Sequence, residues 1–98
     1  MTFTLLVPRY YNSGKRVPPV FFEHLETYLA TEFGGFTRRD VGGGWLDPAG
    51  LLSHDVNYEY TVWGAVNPHK VKALAKIIKA YWKQTSVGFL IDNKPYYV

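Results

Sequence analysis

The chain contains no cysteine and a single methionine among its 98 residues. Without cysteine there is no disulfide frame, no thiolate metal site and no cysteine nucleophile. No apolar run approaches the ~20 residues needed to span a bilayer, so no membrane partner is expected. The opening MTFTLLVPRYY has an apolar stretch but neither a basic start nor a small-residue cleavage site. It does not read as a signal peptide, and a cytoplasmic location is expected. Charge is sparse: eleven Lys and Arg against eight Asp and Glu give +3, weaker and less clustered than a nucleic-acid reader usually shows. Apolar residues at 47% with charged residues at 19% exclude the charge-rich disordered class. The length fits one domain with one core.

Aromatics are the conspicuous surplus: three Trp, eight Tyr and six Phe. Thr2–Val7 alternates Phe3, Leu5 and Val7 against Thr2, Thr4 and Leu6, a strand that Pro8 stops. A loop with turn residues Asn12, Ser13 and Gly14 leads to two prolines, which suit a helix start. Phe22, Leu25, Leu29 and Phe33 then recur at helical spacing over 20–33, and Gly34 or Gly35 suits a left-handed cap. The segment 36–41, FTRRDV, reads as a short strand whose charges on both faces suit a sheet edge. Gly42-Gly43-Gly44 reads as a flexible turn or bulge beside it, and Asp47-Pro48-Ala49-Gly50 as a type I turn.

The longest alternation spans 51–63. It sets Leu52, His54, Val56, Tyr58, Tyr60 and Val62 against Ser53, Asp55, Asn57, Glu59, Thr61 and Trp63, a half-buried strand. Asn67 and Pro68 open a helix over 67–84 with one stripe of Val71, Leu74, Ala75, Ile78 and Trp82 and another of Lys72, Lys76, Lys79 and Lys83. SVGFLI at 86–91 is a further strand, Asp92–Pro95 a turn, and Tyr96–Val98 a short returning strand. The order βαββαβ with a short extra C-terminal strand predicts an α+β ferredoxin-like sandwich. Its antiparallel sheet would run strand 4, 1, 3, 2 with two helices on one face.

Gly34-Gly35-Phe36-Thr37, Gly44-Trp45-Leu46-Asp47-Pro48-Ala49-Gly50 and Gln84-Thr85-Ser86-Val87 resemble a motif set, GGxT, GxWxDxxG and QxxV, of a family of small bacterial ferredoxin-like proteins of unknown function. The resemblance covers about residues 20 to 92. It supports the fold and implies no chemistry. Many members of that family are exported, and the opening residues here depart from them.

The triple glycine lacks the Gly-Lys-Ser/Thr ending of a phosphate loop. His24, His54 and His69 have no metal-ligand spacing, and no metal or other cofactor is called for. Ser53, His54 and Asp55 are strand neighbours that point to alternate faces, so they form no local triad. The strand Asn57–Trp63 is aromatic but carries Glu59 and lacks the glycine pair of RNA-reading sheets. If Tyr58 and Tyr60 face the helices, the open face gains Asn57, Glu59 and Trp63, with Arg38 or Arg39 at the rim. Two readings of that face follow. In the first, a small binding or interaction domain homodimerises through it. In the second, it lines a cavity for a small molecule, as in cofactor-independent enzymes of the dimeric α+β barrel type, with Glu59 as base. The third reading is nucleic-acid binding through the Lys-rich helix.

Overall fold

A computed structural model describes residues 1–64 and 67–98. It contains β1 (Thr2–Pro8), α1 (Pro19–Phe33), β2 (Thr37–Leu46), β3 (Leu52–Trp63), α2 (Pro68–Tyr81), β4 (Gly88–Ile91) and β5 (Lys94–Tyr97). The sheet order β2-β3-β1-β4-β5, antiparallel throughout, is the expected 4, 1, 3, 2 arrangement with the last strand added outside β4. The charged strand lies at the edge, as its composition requires.

Each element ends where local chemistry dictates. The Asn67 side chain accepts the His69 N–H at 2.9 Å, and Pro68 occupies the first turn of α2. Gly34, at φ 85°, closes α1 by donating to the Ala30 carbonyl. Asp92 and Asn93, both at positive φ, make the two-residue β4–β5 turn.

Alternation decides which face is dry. Phe3, Leu5, Val7, Tyr60, Val62, Phe89 and Ile91 share one face of the sheet and are buried there. Helices α1 and α2 cover that face with Phe22, Leu25, Leu29, Val71, Leu74, Ala75, Ile78 and Trp82. Trp82 meets the rings of Phe21 and Phe22 edge-on at 5.4 and 5.6 Å, joining the helices through aromatic contacts.

The hairpin departs from the sequence reading. Gly42, Gly43 and Gly44 are not a turn: they continue β2 and pair with Val56, Asp55 and His54. Beyond Pro8↔Asn57, β1 stops pairing, while β2 and β3 run on together from Gly42↔Val56 to Leu46↔Leu52. This arm extends roughly 15 Å past the body. Neither helix reaches it, so Leu52, His54 and Val56 are exposed although they follow the buried parity of Tyr60 and Val62. At its tip the Asp47 side chain accepts the N–H groups of Ala49 and Leu51, each at 2.9 Å.

Candidate functional site

The end of β1 creates a concavity. Where β1 leaves the sheet, its chain turns into a loop pinned by Arg9 N–H to the Val56 carbonyl (3.0 Å), Val17 N–H to the Arg9 carbonyl (3.0 Å) and Tyr11 N–H to the Lys15 carbonyl (2.7 Å). The loop stands on one side and the arm on the other. Between them opens a cleft of about 750 Å³, within the range of small-molecule sites.

Its two walls differ chemically. Tyr10, Tyr11 and Asn12 form the loop wall. The Lys83 ammonium lies over the Tyr11 ring, 5.4 Å from its centroid. The arm contributes Trp45, His54, Asp55 and Val56, and Asn57 stands at its base. Trp45 Nε1 donates to Asp55 Oδ1 at 3.3 Å, which orients the indole and leaves the second carboxylate oxygen to other donors. Gln84 and Thr85 close one end.

Ser53, Asp55, Asn57, Glu59 and Thr61 share the open face of the sheet by alternation. Asn57 is therefore both a wall of the cleft and the start of a polar stripe. Glu59 lies about 7 Å further along the strand. Arg39 faces it across the β2–β3 ladder and donates Nε (3.1 Å) and Nη2 (2.6 Å) to Glu59 Oε1. Thr4 and Thr61 hydroxyls approach at 3.4 Å on the same face.

The residues singled out from the sequence thus separate into four places. Asn57 lines the cleft, and Glu59 with Arg39 lies on the adjoining stripe. Trp63 ends β3 opposite Thr2, away from the cleft and 74% exposed. Arg38 is on the other side of the sheet, because it pairs with Tyr60 and alternation turns it toward α1. There its Nη1 donates to Glu26 Oε2 at 2.9 Å. Lys72 and Lys76 of α2 and Lys83 just past its end are exposed, whereas Lys79 is half-buried.

Sequence reasoning missed the Arg38 neighbourhood. Tyr60 donates its hydroxyl to the same Glu26 oxygen at 2.7 Å. Burial, helped by the Glu26 hydrogen bond and charge, raises the Tyr60 pKa well above the ordinary tyrosine value; Arg38 opposes the shift without reversing it. Arg38 is raised above its own usual value despite desolvation, through Glu26. The signal available was the parity of Tyr58 and Tyr60 with Arg38, but which helix residue would meet them is a tertiary fact. The cleft wall Tyr10–Asn12 was also missed, because loop residues carry no periodicity.

No family model matches the chain, and no curated protein matches it in sequence. Its fold matches a solved structure, a phage SAM lyase in complex with S-methyl-5'-thioadenosine. The match covers 99% of this chain and 87% of that one, with TM-score 0.64 and 14% identity.

Proposed function

We propose that this protein is a cofactor-independent enzyme that cleaves a small adenosyl sulfonium compound, taking its substrate in the cleft between the Tyr10–Asn12 loop and the β2–β3 arm. The observation that carries this reading is the pairing of an aromatic wall with Asp55 and Asn57 in one cleft of small-molecule size, with Glu59 on the adjoining stripe of the same strand face. The whole-chain fold match to a SAM lyase supports it.

The chemistry suits those groups. A purine needs a flat apolar surface and a few edge hydrogen bonds; Trp45, Tyr10 and Tyr11 offer the first, Asn57 and Gln84 the second. Asp55 suits ribose hydroxyls as a charged acceptor. Breaking the bond from sulfonium to the Cγ of its amino-acid arm sends both electrons to sulfur and releases a neutral thioether. In one route the arm closes to a lactone, its carboxylate oxygen forming the bond to Cγ as the C–S bond breaks. Alternatively it loses a Cβ proton to a base, the freed electron pair forming a Cβ–Cγ double bond. Positive charge disappears from sulfur in either route, so a carboxylate touching sulfur would stabilise substrate more than transition state. The carboxylates serve better at the ribose and at the Cβ proton, and Glu59 is the candidate for the second role.

The test is incubation of the full chain with S-adenosylmethionine and chromatography of the products. S-methyl-5'-thioadenosine should form, and Asp55→Asn and Glu59→Gln should each reduce its rate, by about 10²-fold for a group that transfers the proton. Absence of thioether formation, together with no calorimetric binding of S-methyl-5'-thioadenosine, overturns the reading.

A second reading rests on a separate observation. Leu6, Trp63 and Tyr97 are exposed on the open face, and covering them in a two-fold homodimer would make the chain an interaction domain. Trp63→Ala should then raise the dimer dissociation constant roughly tenfold or more. Sedimentation as a monomer at all concentrations refutes it.

A further inference from the structure

On the helix-covered side, at the base of the arm, three arginines and the Tyr58 ring line one pocket. The Arg38 guanidinium carbon lies 4.4 Å from the centroid of Tyr58, and that of Arg9 lies 4.8 Å from it. Arg16 joins them in lining this pocket of about 200 Å³. The ring itself is fixed edge-on by Phe22 at 5.1 Å. Arg9 is held by backbone bonds on both sides, its N–H to Val56 and its carbonyl to Val17. Arg16 is placed by its bridge to Tyr10.

The charges are unequal. Glu23 and Glu26 also line the pocket, but Glu26 already serves Arg38 and Tyr60. Among the described residues, Arg9 and Arg16 form no ion pair. The N-terminus of α1 opens here as well. Pro19 lines the pocket, no side chain caps the helix, and its first turn carries no acidic residue. The partial positive charge of that terminus therefore adds to the guanidinium excess. Two guanidinium forks without partners, beside a third fixed by a carboxylate, form a receptor for a planar or tetrahedral oxyanion.

We infer that the Arg9–Arg16–Arg38 pocket around Tyr58 binds a small oxyanion, the phosphate or carboxylate group of a metabolite. This site is distinct from the cleft, with which it shares no lining residue. Arg9 and Arg16 would grip the oxygens, and the α1 N-terminus would face the charge.

Isothermal titration of the full chain at low ionic strength, with inorganic phosphate and separately with acetate, tests this. Phosphate should bind saturably. The double variant Arg9→Gln/Arg16→Gln should weaken it by about tenfold or more. The single change Arg16→Gln, at an exposed side chain, guards against a folding defect and should give a smaller loss. Lys72→Gln, which removes one charge elsewhere, should change nothing. Binding of both anions identifies a general oxyanion pocket, and binding of phosphate alone a phosphate-ester site. Saturable binding of neither anion, or equal affinity in the double variant, overturns the assignment.

Discussion

Removing one oxygen atom from Tyr60 isolates the polar knot beneath the sheet. Tyr60→Phe keeps the ring, fully buried between α1 and the sheet, and deletes only the hydroxyl that donates to Glu26 at 2.7 Å. A hydrogen bond to a charged acceptor contributes about 1.5–3 kcal/mol. Glu26 retains Arg38 at 2.9 Å, and its side chain is 25% exposed, so water can replace part of what is lost. The expected destabilisation is therefore about 1–2 kcal/mol. In a urea melt with a slope near ~1 kcal/mol/M, the midpoint falls by about 1–2 M with the slope unchanged. The hydroxyl also makes stability depend on alkali. The folded state holds the Tyr60 proton more tightly than the unfolded chain, whose tyrosines titrate near ~10. The contribution is complete below that unfolded value and is lost progressively as pH rises above it. Ultraviolet titration should show one phenolate appearing only as the fold melts, and that delayed step should be missing in Tyr60→Phe. A loss below ~0.5 kcal/mol, or an unchanged alkaline titration, would refute the reasoning.

Leu74→Ala, at a position buried between α2 and the core, should cost about 2–5 kcal/mol in denaturant melts; a loss under ~1 kcal/mol would mean that the stripe does not pack. Changing Lys72 and Lys76 together to Gln should alter stability by only a few tenths of a kcal/mol, and thermal melts showing collapse of the fold would make that face structural. Asp47→Ala removes both side-chain bonds at the arm tip. It should cost about 1–2 kcal/mol locally, read as faster amide exchange over residues 42–56 with core protection unchanged.

Most of the architecture was legible because it rests on periodicity. The helical stripe from Val71 to Trp82 and the alternation from Phe3 to Val7 each report a buried face, and two crossovers on one sheet leave few arrangements. Gly42–Gly44 were misread because glycine is a local signal for turns, whereas their pairing with His54–Val56 is a non-local fact. Leu52, His54 and Val56 expose a second limit. Alternation tells which side of a strand a residue takes, not whether any element covers that side. For the site, the same parity put Asn57 and Glu59 on one surface with Arg39. It could not report where β1 ends relative to β3, and that mismatch in strand length makes the cleft.

The arm couples occupancy to order. One wall of the cleft belongs to a two-stranded ribbon in which three successive glycines bring no side chains to brace His54, Asp55 and Val56. Such a segment sits at the low end of the local-stability spectrum. A molecule bridging Trp45 and Tyr10 would have to bear the loss of backbone freedom in the ribbon, and would in turn make the ribbon rigid. Affinity is then adjustable from a distance: whatever stiffens the ribbon strengthens binding without touching the ligand. Stiffening Gly43, which has open space where a Cβ would stand and no positive φ, is the direct way to draw on that reserve.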